Sequence, residues 1–67
     1  MNVATAARRV LAEFYEMPGM TLTRRQASKF FGLDEQVCGM AIDMLLDASY
    51  LRETSAGQLI AADGTRG

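Results

Sequence analysis

The sequence predicts a mainly α domain with a small β-hairpin, built as a three-helix core plus two to three short strands. Three observations carry this. Apolar residues in the first quarter of the chain recur at spacings of three and four, the period of one helix face. Helix start and stop signals (Thr23 with Gln26, Gly32, Asp34) then punctuate two further helical stretches. Finally, two short extended runs flank a three-residue loop ending in Gly57, a common hairpin connection.

The first helix is predicted from about Val3 to Glu16. Val3, Ala6, Ala7, Val10, Leu11, Phe14 and Tyr15 form its apolar stripe, and Arg8, Arg9, Glu13 and Glu16 lie mostly off it. Met17-Pro18-Gly19 stops it, because the residue before proline is pushed out of the α region. Met20-Thr21-Leu22 is extended at most, with Met17 and Met20 covering the junction behind it. Thr23 and Gln26 then make a capping box for a short helix, Arg24 to Phe31, with Ala27, Phe30 and Phe31 as apolar contacts. Gly32 suits the left-handed position that ends a helix. Asp34 caps a third helix, about Glu35 to Ala48, with Cys38, Ala41, Ile42, Leu45 and Ser49 on its inner face. Tyr50–Thr54 and Gln58–Ala61 are the hairpin strands. The domain is assigned to 1–62 and a flexible tail to 63–67.

Composition bounds the function. The chain has 67 residues, of which 49% are hydrophobic, so it is one small folding unit and not a disordered tail. One cysteine and no histidine exclude an internal disulfide and a zinc site, so no metal and no cofactor are expected. No apolar run approaches the roughly 18 residues of a membrane span, and no signal-peptide pattern is present. A soluble, cytoplasmic protein without membrane partners is the expectation. No His, glycine-rich phosphate loop or Ser–base pair is present, so no catalytic residue is assigned and the chain is not expected to be an enzyme. Cys38 reads as a small buried hydrophobe, with a reactive thiol as the alternative. Asp43 and Asp47 stand four apart, which suits a solvated face better than a two-ligand metal site.

The order of elements resembles the winged helix-turn-helix family. The carriers are Leu22-Thr23, the Gln26-Ala27…Phe31 helix, the Gly32-Leu33-Asp34 turn, Cys38…Ile42…Leu45 running into Tyr50-Leu51, and the hairpin closed by Gly57. More narrowly, Glu16-Met17-Pro18-Gly19-Met20-Thr21-Leu22-Thr23 with Gln26-Ala27 and Gly57-Gln58 looks like a group of small, largely uncharacterised bacterial winged-helix proteins. The glycine usual between the third helix and the wing is Ser49 here. The resemblance implies a DNA-binding, transcription-regulatory module, with the third helix in the major groove and the wing over the backbone.

The residues qualify that implication. The outward face of helix 3 would offer Glu35, Gln36, Met40 and Asp43 as base-reading candidates. From Asp34 to Asp47 there are four acidic side chains and no basic one, whereas DNA affinity rests largely on Lys and Arg at phosphates. Positive charge instead clusters at Arg24, Arg25 and Lys29 on helix 2. With Arg52 in the wing and the hydroxyls of Thr21 and Thr23, these are the DNA-backbone candidates. The same cations could equally pair with Glu35, Asp34 or Glu53. Duplex contact is therefore expected to be weak, salt-sensitive and dependent on a dimer or partner. The alternative is protein interaction through Met40, Met44, Asp43 and Asp47, with Met40 exposed and Met44 and Val37 used to complete the core. A homodimer through helix 1 or helix 3 is also natural for so small a domain.

Overall fold

The computed structural model describes residues 2–17 and 19–62. Among them are three helices, α1 (Val3–Glu16), α2 (Arg24–Phe31) and α3 (Glu35–Asp47), and three short strands, β1 (Leu22–Thr23), β2 (Leu51–Glu53) and β3 (Gln58–Ala61). The protein is mainly helical with one small antiparallel sheet. The expected tail at 63–67, and Pro18 in the expected helix stop, lie outside the described residues.

Each helix starts where a side chain satisfies free backbone N–H groups. Asn2 Oδ1 accepts from the Thr5 N–H at 2.8 Å and caps α1. The capping box of α2 is complete: Thr23 Oγ1 accepts from the Gln26 N–H at 3.1 Å, and Gln26 Oε1 accepts from the Thr23 N–H at 2.9 Å. Asp34 Oδ2 accepts from Gln36 and Val37 N–H at 2.9 and 3.2 Å, opening α3.

Two helices end in the same way with different residues. In α2, Gly32 is left-handed at φ 66°, its N–H donates to Lys29 O, and the Leu33 N–H donates to Ser28 O. In α3, Ser49 is left-handed at φ 66°, its N–H donates to Leu46 O, and the Tyr50 N–H donates to Leu45 O. Both are Schellman endings, for which glycine is the favoured residue. Ser49 was expected to continue the inner face of α3. It is instead exposed and forms the turn into β2. A Cβ in the left-handed region is strained, so Ser49→Gly is expected to stabilise the domain by about 0.5–1 kcal/mol, read as a higher urea midpoint with an unchanged slope.

The sheet order is β1-β3-β2, all antiparallel. β2 and β3 form the hairpin, with Arg52 opposite Ile60. Its loop is held by Thr54, whose N–H donates to Gln58 O at 2.8 Å and whose hydroxyl accepts from the Gln58 N–H at 3.1 Å. Gly57, at φ 82°, completes the turn. β1 sits on the far side of β3, with Leu22 opposite Leu59. Thr23 is thus both the last residue of β1 and the cap of α2. The first hairpin strand is shorter than expected, because Tyr50 and Thr54 lie just outside β2, while β3 has the expected limits.

The core joins all layers. Val10 and Phe14 from α1, Ala27 and Phe31 from α2, Cys38, Ala41, Ile42 and Leu45 from α3, and Leu51 and Leu59 from the sheet are buried together. The Phe14 and Phe31 ring centroids are 6.4 Å apart. Four expected contacts fall elsewhere. Tyr15 (51% exposed), Phe30 (53%), Met17 and Met44 are all substantially accessible. Tyr15 follows buried Phe14 and Phe30 precedes buried Phe31, so each points one helical step off the core. Phe30 retains an edge-on contact with Phe31, with centroids 5.1 Å apart.

Candidate nucleic-acid interface

The outward face of α3 follows from its inner one. With Cys38, Ala41, Ile42 and Leu45 buried, the helical period turns Glu35, Gln36, Met40, Asp43, Met44 and Asp47 outward, and all six are exposed. Val37 and Leu46 flank the core face and are partly buried against it. Met44 therefore differs from the expectation that it would complete the core. Val37 does contribute there.

Arg24 is the residue whose role changes most. It lies in the first turn of α2, where its guanidinium reaches two other elements. Nη2 donates to Asp43 Oδ1 on α3 at 2.9 Å, and Nε lies 3.6 Å from Glu53 Oε2 on β2. The expected backbone candidate is thus engaged within the protein. One of its expected partners, Glu53, is present, while the closer one, Asp43, had been read as a base-reading or docking residue. Asp43 instead holds a cation from a neighbouring helix. Pairs this exposed contribute only about 0–1 kcal/mol, but they set where the charges sit.

The remaining cations are differently placed. Arg25, Lys29 and Arg52 are exposed, and among the described residues none has a carboxylate within ion-pair distance. Arg25 and Arg24 line an open depression of about 260 Å³ with Glu35 and Gly39, where the start of α2 meets the start of α3. Thr21 is exposed. The Thr23 hydroxyl oxygen is occupied as the α2 cap. The charges therefore divide by element, with cations that lack ion-pair partners among the described residues on α2 and β2 and exposed carboxylates on α3.

A second open depression, about 470 Å³, lies along the outer face of α3. Met40, Asp43, Met44, Leu46 and Asp47 line it. Met40 and Met44 are 47% and 46% exposed, one helical turn apart. The sequence had placed Met40 here. Met44, named with it as an interface candidate but also assigned to the core, is exposed beside it.

Cys38 faces inward and is buried. Burial pushes its thiol up from the ordinary value, and the nearby Arg24 charge offsets part of that rise. Both effects act on a thiol packed inside the core. Among the described residues, no group of three or more His, Cys, Asp or Glu side chains is placed to hold a metal ion, and no helix is long and apolar enough to cross a membrane. No protein-family model, no curated protein and no solved structure matches this chain.

Proposed function

We propose that this chain is a small bacterial winged-helix module of the cytoplasm that takes part in transcription regulation through weak contact with duplex DNA. The element order and the three-stranded sheet beside α3 support the winged-helix reading. The observation that carries the DNA reading is the set of three exposed cations, Arg25, Lys29 and Arg52, on two elements that pack against α3 and free of ion-pair partners among the described residues. In this arrangement they bind backbone phosphates, while α3, lacking any basic residue, adds little base reading. A dimer would double the footprint and match two half-sites.

The test is a salt series on a fluorescent 20-bp duplex. Three phosphate contacts give a slope of log K on log salt near −2.7, so affinity falls about 40-fold between 50 and 200 mM salt. Replacing Arg25, Lys29 and Arg52 together by alanine is expected to flatten the slope to near zero. An unchanged slope, or no binding at 50 mM salt, overturns the reading. A second reading, docking of a protein on α3, is favoured by the exposure of Met40 and Met44 beside Asp43 and Asp47.

A further inference from the structure

We infer that the C-terminal half of α3 is a docking surface for a cationic amphipathic segment of another protein. The inference rests on the protein-docking reading of α3 and names the chemistry of the partner; it does not depend on DNA contact.

Two observations carry it. The first is shape and composition: Met40 and Met44 stand exposed in an open depression rimmed by Asp43 and Asp47. Adaptable thioethers flanked by carboxylates suit an apolar stripe with basic flanks. The second is the placement of Asp47. It is the last residue of α3, where unsatisfied carbonyls already concentrate negative charge, and the last turn carries no basic residue. Asp43 lies four positions earlier, an arrangement in which like charges repel. Among the described residues, Arg24 compensates Asp43, but nothing pairs with Asp47. An acid in this position disfavours the isolated helix, and a cation from outside would relieve it.

The same charges argue against a second copy on this face. Bringing two α3 surfaces together would gather two Asp43 and two Asp47 side chains, with only the two Arg24 guanidinium groups inside the protein to offset them. Duplex DNA is disfavoured there for the same reason. A cationic segment turns each of these repulsions into attraction.

The test uses three labelled 18-residue helical peptides, with Leu on one face and Lys, Gln or Glu on the other, titrated into the full chain by fluorescence anisotropy, with backbone NMR shifts to locate binding. The Leu/Lys peptide is expected to bind with shifts centred on residues 40–47, and the Leu/Gln peptide at least ~10-fold more weakly. Asp47→Lys is expected to weaken Leu/Lys binding ~10-fold while raising Tm by about 2–5 °C, because it removes an acid from the negative helix end. Met40→Gln with Met44→Gln is expected to weaken binding with little change in Tm. Equal binding of Leu/Gln and Leu/Lys at α3 would overturn the cationic partner and leave α3 docking intact. Shifts centred elsewhere, or no Leu/Lys binding, would overturn both. A fall in Tm for Asp47→Lys would remove the argument from helix charge.

Discussion

Phe14→Ala is expected to leave most of the protein unfolded at 25 °C. Phe14 is 1% exposed and lies where α1 meets Phe31 of α2. Removing a buried phenylalanine ring costs about 3–5 kcal/mol, and a single core in a domain this small rarely supplies more than about 3–5 kcal/mol in total. The folded fraction should therefore collapse, read as loss of helical circular dichroism and of a cooperative urea transition. The neighbouring Tyr15→Ala is the control. Tyr15 is half exposed, so its removal is expected to cost under about 1 kcal/mol and to keep the transition. Comparable losses for the two variants would contradict the packing of α1. The contrast matters for function, because α3 is held in place chiefly by α1. A loosened α1 releases α3, which carries the candidate docking face and against which α2 and β2 pack.

Asp43→Asn is expected to strengthen duplex binding. Asp43 holds Arg24 at 2.9 Å and places a carboxylate on the exposed face of α3. Neutralising it frees one guanidinium from its closer partner, leaving only Glu53 at 3.6 Å, and removes one repulsive charge. One added phosphate contact steepens the salt slope by about 0.9 and, with the lost repulsion, raises affinity at 50 mM salt by about 10-fold. The cost in stability should stay below about 1 kcal/mol, because the pair is exposed. Circular dichroism and the anisotropy salt series measure the two effects separately. A loss of affinity would restore Asp43 to a base-reading role, as an acceptor from cytosine. An unchanged affinity would mean that Arg24 does not reach phosphate even when released.

These two variants also mark how much could be seen before the fold was known. The helices were legible nearly to the residue, and so were the Thr23–Gln26 box, the Asp34 cap and the Gly57 hairpin. The Asn2 cap of α1 has a local signal as well, an Asn directly before an apolar-periodic run. At Ser49 the family resemblance marked a position where glycine is usual, whereas helical periodicity put the same residue on the inner face of α3. The assignment of borderline apolar residues was not. Tyr15, Phe30, Met17 and Met44 all sit at the edge of a helical stripe or beside a helix end, where a rotation of a few tens of degrees moves a side chain from core to solvent. That rotation is set by what the helix packs against.

The candidate site divides along the same line. That helix 3 is acidic and helix 2 basic is a property of composition and periodicity, and it already argued against a base-reading α3. Which cation would be consumed could not be read. Arg24, Asp43 and Glu53 are brought together from α2, α3 and β2, and β1 joins the hairpin only because Leu22 meets Leu59 across the sheet.

Helix limits, caps and turns depend on hydrogen bonds and steric limits within about five residues, so the amino-acid order alone decides them in this protein. The partner of Arg24, the third strand and the exposure of Met44 depend on groups far apart in the chain. Their positions follow from how the helices share one small core, which no local pattern specifies.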